Sequence, residues 1–433
     1  MSNRTTNRSF RNLLTRGVTV GVAAAILAST AGGCSGSRAG QKAHSSRAKE
    51  NLSIIKAGTE WDMARQAFLA GELDKALKRV DMSLSHNANV AKSHVLRGRI
   101  LLEMGRLEES LDALARGEAL DPENAEAPYY QAIIYERFTQ GEEALAKYQR
   151  AAEIDPQDAQ YAIAASEVLI DLGRYAEAEQ YLNERGEGFR HNAGVQQTLG
   201  NLAMIEGDVQ RAVEHYEEAA LLAPDDELIL EDLTFAQMEI GQFAEAELAL
   251  GNMLSNPDND GRRDLMHLRA RCLVELDRPL DARELLSKLV DGPEGQSDLE
   301  AWVGLGNVSY LLKDFRGVNR AARRITTLAP DRYEGYLLQA LAQRKNGDRS
   351  EALESLARAQ EVSPNSQVVL NFRTLVQFEM NMIDAAQRTL QTARAFDANS
   401  PVVAQLQGML DAATGQNASA NAATASVSDD GNY

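Results

Sequence analysis

A pattern of turn residues and small residues that recurs about every 34 residues constrains this chain more than any other feature of its sequence. In the stretch 200–226, Gly207 and Asp208 interrupt an apolar pattern of helical period, and Pro224 ends the pattern that follows. Because proline has no amide hydrogen to donate within a helix, the stretch predicts a hairpin of two amphipathic helices. The turn position recurs, twice with a two-residue delay, at Gly71, Gly105, Thr139, Gly173, Gly241, Asp277, Lys313, Gly347 and Asn381.

A second marker accompanies each turn. The residue five positions later is alanine or serine, or valine in one period, and small side chains there let two helix backbones approach closely. A single hairpin of this kind cannot bury its apolar face alone, so the copies must stack on one another. The sequence therefore predicts an all-α solenoid. The marker residues are Ala76, Ser110, Ala144, Ala178, Ala212, Ala246, Ala282, Val318, Ala352 and Ala386.

The pattern resembles the tetratricopeptide repeat. That family has glycine or alanine at position 8 of each repeat, glycine near 15, alanine at 20 and 27, and proline at 32. The resemblance covers roughly residues 57–400 and implies a right-handed α-solenoid of about ten helix hairpins, which we place at 52–400. The segment 401–413 is predicted to be a capping helix over the last apolar face, and the small polar residues 414–433 are predicted to be a disordered tail.

The amino-terminal segment 1–33 is predicted to be an export signal. Four arginines and no acidic residue lie among residues 4–16, and the uncharged run 17–31 is too short to span a bilayer comfortably. The run ends in Ala31-Gly32-Gly33-Cys34, which resembles the bacterial lipobox and implies that Cys34 carries lipid. The alternative is ordinary cleavage after small residues such as Ala31, which releases a soluble exported protein.

The residues after Cys34 bear on where the chain resides. The segment 34–51 is small, polar and weakly basic, and we predict a flexible lipidated tether. By resemblance to lipoproteins of bacteria with two membranes, Ser35 in place of aspartate favours the outer membrane, facing the periplasm. Membrane attachment is expected through Cys34 alone.

The same resemblance to tetratricopeptide repeats indicates candidate binding residues. It implies that the first helix of each hairpin lines the concave side, with positions 2, 5, 9, 12 and 13 facing the groove. Asparagines there suit an extended peptide backbone, and aromatic side chains suit apolar anchoring, although packing between repeats is an equal alternative for each aromatic. Gln197 stands where some family members place a carboxylate-binding lysine, so no carboxylate clamp is expected. The candidate groove residues are Tyr129, Glu167, Asn201, Phe235, Arg271 and Asn307.

Charge separates two stretches of the array. The chain carries a net charge of −18, which disfavours nucleic acid as a partner because its phosphates would be repelled. Residues 51–261 hold 17 basic and 40 acidic residues, whereas residues 262–358 hold 17 and 15. The second stretch is either a solvated surface or a binding region for an acidic partner segment.

No residue pattern predicts catalysis, a metal site or a cofactor. The six histidines are scattered, no HExxH pair or nucleotide-binding glycine loop occurs, and Cys272 lies in a patterned helix as a small core residue. The stretch 256–261 resembles the first half of a calcium loop, but His267 stands where a bidentate glutamate is required, so an ordinary turn is the favoured interpretation.

The function predicted from these patterns is a non-catalytic protein–protein interaction scaffold. We expect it to be lipid-anchored in the bacterial envelope, to bind envelope proteins or extended peptide segments, and to support assembly of a pilus, a secretion apparatus or another envelope complex. The alternative is an adaptor or regulator of a cell-wall or polysaccharide enzyme, which would use the same surface.

Overall fold

The computed structural model describes residues 38–185 and 187–415. The predicted export signal, Cys34 and most of the predicted tail therefore lie outside the described residues. The chain divides into two compact units, Met1–Pro224 and Asp225–Tyr433. In the described part of both units, the regular elements are helices that follow one another as hairpins, which confirms the predicted all-α fold of stacked repeats.

The first unit contains five hairpins, and within each hairpin the two helices pack against each other. A one-turn helix precedes the fifth hairpin. The helices are α1 (Arg38–Leu69), α2 (Leu73–His86), α3 (Ala91–Glu103), α4 (Leu107–Leu120), α5 (Glu126–Arg137), α6 (Gly141–Ile154), α7 (Ala159–Asp171), α8 (Tyr175–Asn183), α9 (Glu187–Arg190), α10 (Ala193–Glu206) and α11 (Val209–Leu222).

The second unit continues the pattern and ends in a single helix at the predicted capping segment. A 3-10 helix (Pro257–Asn259) lies between its first two hairpins. Its helices are α12 (Glu227–Glu239), α13 (Phe243–Ser255), α14 (Arg263–Glu275), α15 (Pro279–Val290), α16 (Gly292–Gly295), α17 (Leu299–Leu311), α18 (Phe315–Leu328), α19 (Tyr333–Asn346), α20 (Arg349–Val362), α21 (Gln367–Glu379), α22 (Ile383–Phe396) and α23 (Pro401–Thr414).

Every predicted turn position adopts a left-handed backbone. The six glycine positions and the four others all have positive φ, and the non-glycine values are 58° at Thr139, 54° at Asp277, 59° at Lys313 and 59° at Asn381. Side chains other than glycine meet steric resistance in this region, so a shared requirement of the hairpin overrides local preference there.

The two delays in the 34-residue spacing have a structural cause. Between Gly241 and Asp277 the chain forms the 3-10 helix Pro257–Asn259, and between Asp277 and Lys313 it forms α16. Both lie between hairpins. The extra residues are therefore accommodated outside the paired helices, and the phase of the apolar faces is preserved.

The small residues do bring helices together. Gly200 on α10 faces the buried ring of Tyr216 on α11, and a Cβ atom at position 200 would lie 2.5 Å from Cε1 of that ring. Gly98 on α3 faces Leu114 on α4 in the same way, with 2.4 Å to Cγ. Glycine at these sites is needed for space, since both residues have ordinary helical backbones.

The predicted flexible tether requires a correction. Helix α1 begins at Arg38 and runs without interruption into the first hairpin, so residues 38–51 are helical. The sequence explains the difference, because residues 41–51 contain no glycine or proline and are rich in alanine, lysine, arginine, glutamine and glutamate, which favour helices. Residues 34–37 of the predicted tether lie outside the described part.

The packing at Gly200 predicts opposite effects for two glycine-to-alanine changes. Gly200→Ala should lower the free energy of unfolding by about 1–3 kcal/mol, because the added methyl group overlaps a ring that is 3% exposed. Gly58→Ala on α1 should raise it by about 0.5–1 kcal/mol, because that position has open space and alanine favours a helix. Urea unfolding followed by circular dichroism measures both changes. Equal effects of the two substitutions would contradict this account of the hairpin.

Candidate functional site

Five of the six candidate groove residues are exposed on the first helices of their hairpins. Glu167 lies on α7 and Asn201 on α10 in the first unit, and these two helices pack against each other. In the second unit, Phe235 lies on α12, Arg271 on α14 and Asn307 on α17. Phe235 is 49% exposed, which is unusual for so large an apolar side chain in a packed helix.

Tyr129 is different, because it packs between repeats. Its half-buried ring on α5 lies 5.2 Å from Tyr130, 5.5 Å from Tyr148 and 5.2 Å from Tyr161, measured between ring centroids. Its hydroxyl accepts a hydrogen bond from Nε2 of Gln160 at 2.7 Å. Burial raises the pKa of Tyr129 to about 12, so the hydroxyl stays protonated and able to donate. The structure therefore places Tyr129 in a tyrosine cluster (residues 129, 130, 148 and 161).

A group of carboxylates adjoins the tyrosine cluster. The hydroxyl of Tyr148 donates a hydrogen bond to Glu136, whose own pKa is raised mainly by burial and further by Asp171. Burial also raises the pKa of Glu167 to about 7, with Glu136 and Asp171 adding to the effect. Glu167 keeps an exposed surface, yet the neighbouring helices exclude much of the water that would otherwise stabilise its charge.

Glu136, Glu167 and Asp171 form no ion pair within the described residues of the first unit. A cation lies further along the same unit. The guanidinium of Arg99 on α3 stacks 4.7 Å from the ring centroid of Tyr130 and is 3.5 Å from Oε2 of Glu126. The face thus changes from basic to aromatic to acidic from α3 to α7.

Two further features extend this face toward α10. The Oδ1 atom of Asn201 accepts a hydrogen bond from the Tyr216 hydroxyl at 2.7 Å, so its Nδ2 group is the part suited to a partner's carbonyl. An open depression of about 560 Å³ begins beside the tyrosine cluster at Gln160 and extends past Ile163 to Asn192. An extended peptide has room to lie along this surface.

In the second unit, intramolecular contacts occupy much of the basic stretch. Asp298 caps α17 by accepting from the amide of Ala301, and it also accepts from Nε2 of His267 at 2.9 Å and from Arg263. These donors hold the pKa of Asp298 below its usual range even though burial opposes them. Other arginines form ion pairs with carboxylates, and these arginines are Arg262, Arg269, Arg278, Arg332, Arg344 and Arg349.

The segment that resembles a calcium loop is a hydrogen-bonded turn. The Asn256 side chain accepts from the amide of Asp258, and the amide groups of Asn256 and Asn259 both donate to Oε1 of Glu227. Asn259 is buried and also donates to the carbonyl of Met253. Across residues 38–185 and 187–415, no three His, Cys, Asp or Glu side chains are grouped to hold a metal ion.

The candidates taken from the repeat pattern include Tyr129 and Glu167 but not Tyr130, Tyr148, Tyr161 or Glu136, which folding groups around them. The sequence signal for the cluster is the concentration of five tyrosines within residues 129–161, in a chain that is only 6% aromatic.

Comparison with known proteins identifies the repeat. Four family models described as tetratricopeptide repeat match residues 95–159, 139–202, 193–226 and 334–366. The chain contains tetratricopeptide repeats. Proteins of this family bind peptides and other proteins, so the repeats support a role as a protein-interaction scaffold. No protein with a curated description matches the sequence.

Several solved structures share the helix-hairpin fold. YrrB, described as a tetratricopeptide repeat protein with an unusual peptide-binding site, is 20% identical, with 44% of this chain and 95% of that chain covered and a TM-score of 0.34. PilF of Pseudomonas aeruginosa is 16% identical, with 58% and 96% covered and a TM-score of 0.37. PilW, described as a type IV pilus biogenesis factor, is 14% identical, with 46% and 93% covered and a TM-score of 0.41. At these scores the likeness carries no functional argument.

No helix in the described part of this tetratricopeptide repeat protein combines the length and apolar character needed to cross a bilayer.

The raised pKa of Glu167 predicts a pH-dependent stability difference. The folded protein retains the Glu167 proton to a higher pH than the unfolded chain, so this residue's contribution to stability is complete below about pH 4.5 and declines as the pH rises through 7. Glu167→Gln should therefore be more stable than the wild type by about 1 kcal/mol at pH 8 and little different at pH 4.5, a modest value because the side chain is partly solvated.

Thermal unfolding at pH 4.5, 6 and 8 measures this difference. Glu108→Gln, at an exposed carboxylate on α4, is the matched control and should show no such trend. A stability gap between Glu167→Gln and the wild type that does not change with pH would contradict the assignment.

Proposed function

We propose that this tetratricopeptide repeat protein is a non-catalytic scaffold that is lipid-anchored in the bacterial envelope and holds proteins during assembly of a pilus, a secretion apparatus or another envelope complex. One observation supports the proposal. The first helices α5, α7 and α10 of successive hairpins carry exposed polar side chains, and carboxylates without an ion pair in the described residues lie beside them. Such a face is suited to binding a partner protein, and its described side chains form no catalytic arrangement.

The segment preceding the array supports the anchor. A basic stretch and a short apolar run lead to Ala31-Gly32-Gly33-Cys34, and lipid on Cys34 would give attachment without a membrane-spanning helix. Helix α1 begins at Arg38, four residues after Cys34 in the sequence. Ser35 supports the outer membrane as the site.

The chemistry of the first-unit face suggests the kind of segment it holds. Glu136 and Glu167 lie near the tyrosine cluster with Asp171 beside them, and none of the three has a basic partner among the described residues of the first unit. A lysine or arginine side chain of a partner would relieve that charge and stack on an aromatic ring, and Asn201 would bind the partner's backbone. We therefore expect an extended segment that carries a basic residue.

In-cell crosslinking followed by purification tests this function. Wild-type protein should recover one or two specific envelope proteins, and Glu167→Lys should lose at least about 80% of that recovery because it reverses the charge that the partner's basic residue meets. Glu108→Lys, which makes the same charge change on α4, should recover the partners normally. Cys34→Ala should release the protein from the membrane fraction.

The outcomes separate the possibilities. Partners that are retained by Glu167→Lys, or an absence of enriched proteins from crosslinked wild-type envelopes, would refute the proposed binding face. Cys34→Ala protein that stays in the membrane fraction would refute the lipid anchor. Recovery of a cell-wall or polysaccharide enzyme, with normal appendages and altered wall composition in a deletion strain, would establish the adaptor role instead.

A further inference from the structure

The exposed face of α18 carries a row of arginines. Arg316, Arg320 and Arg323 follow one another at intervals of four and three residues, so they share one side of the helix along about 10 Å of its axis. The opposite side is buried among neighbouring helices through Val318 and Ile325. No carboxylate occurs between Phe315 and Leu328. We call Arg316, Arg320, Arg323 and Arg324 the arginine face.

Most other arginines of the basic stretch form ion pairs within the chain, whereas three of these do not. Arg324 donates from Nε to the carbonyl of Gln296 at 2.8 Å. Within the described residues of the second unit, Arg316, Arg320 and Arg323 form neither an ion pair nor a hydrogen bond through their side chains. Like charges this close repel one another, so three unpaired guanidinium groups create a local positive potential.

The arginine face also borders a depression in the surface. This open depression has a volume of about 710 Å³, and its lining contains no acidic residue. The other lining residues are Gln296, Trp302, Asn319 and Thr327. A comparable depression on α15, one repeat earlier, mixes Asp281 and Glu284 with Arg283. Absence of acid is therefore particular to α18 and does not follow from the repeat.

We propose that the arginine face binds an acidic segment of a partner protein, with carboxylates paired to Arg316, Arg320 and Arg323. Carboxylates four residues apart on a helix are separated by about 6 Å, as are Arg316 and Arg320 along α18. Guanidinium groups bind carboxylates through two parallel hydrogen bonds, which suits discrete side chains. This surface is separate from the first-helix face of the first unit and does not require the lipid anchor.

Charge outside the arginine face favours a short acidic segment over a membrane or a nucleic acid. The second unit, residues 225–433, holds 20 basic and 32 acidic residues, a net charge of −12. A bilayer or a nucleic acid presents negative charge well beyond 10 Å and would also meet the carboxylates elsewhere on this unit. A segment with three or four carboxylates contacts the arginines and little else.

Fluorescence anisotropy with the full chain tests the proposal. The probe is a labelled helical peptide with glutamate at every fourth position, and its comparison peptide has glutamine at the same positions. The triple variant Arg316→Gln, Arg320→Gln, Arg323→Gln should weaken binding of the glutamate peptide at least about tenfold, with a loss that shrinks as salt is raised. The glutamine peptide should bind weakly to both proteins.

A charge-matched variant controls for net charge. Lys345→Gln, Arg358→Gln, Arg388→Gln removes three exposed cations of the second unit that form no ion pair in its described part, and it should retain wild-type affinity within about twofold. Circular dichroism and thermal unfolding confirm that both variants fold. Equal losses in the two triple variants, or equal affinity for the two peptides, would overturn the proposal.

Two further measurements identify a different occupant. If the wild type binds phosphatidylglycerol vesicles but not the glutamate peptide, and the arginine-face variant loses vesicle binding, then the arginine face binds a membrane and not a protein segment. If the wild type self-associates with rising concentration in sedimentation, the same variant does not, and the peptide again does not bind, then the arginine face binds a second copy of this chain. The first-unit face is tested separately through Glu167→Lys and Cys34→Ala, so failure of either proposal leaves the other distinguishable.

Discussion

The close approach of two helices within each hairpin is the contact on which the rest of the structure depends. Small residues at the facing positions allow it: Gly98 lies against Leu114 and Gly200 against Tyr216. Because each hairpin is thin, the next one can stack on it and bury a continuous apolar layer. In the first unit that layer runs from Val95 to Leu202. A solenoid has contacts only between neighbours, so its rigidity is the sum of many such local fits.

A second set of contacts links neighbouring hairpins at the surface. Arg174 pairs with Glu142, Arg211 with Glu179, and similar arginine–carboxylate pairs join residues one repeat apart in the second unit. Each exposed pair contributes at most about 1 kcal/mol. Their consequence for recognition is larger, because arginines already paired within the chain are not available to a partner. The carboxylates near Glu167 and three arginines of α18 have no such ion pair in the described part of their units.

Much of the fold was predictable because the pattern repeats. The turn positions inferred from spacing all have positive φ, including Thr139 and Lys313, for which residue type alone indicates nothing. The start of α1 was not predicted, since polar residues that favour a helix also occur in tethers. Tyr129 was identified, but its packing with Tyr148 and Tyr161 depends on three helices meeting, which no local pattern encodes. The raised pKa of Glu167 likewise arises from neighbours brought together by folding.

The two irregular joints of the second unit have a consequence for how such arrays evolve. The 3-10 helix Pro257–Asn259 and the short helix Gly292–Gly295 both accommodate extra residues between hairpins. An insertion inside a helix would rotate every later side chain by about 100° per residue and turn apolar groups toward water. An insertion at a joint rotates nothing within the hairpins. Insertions that change the repeat length are therefore tolerated at these joints. New loops can arise there while the packed core stays intact.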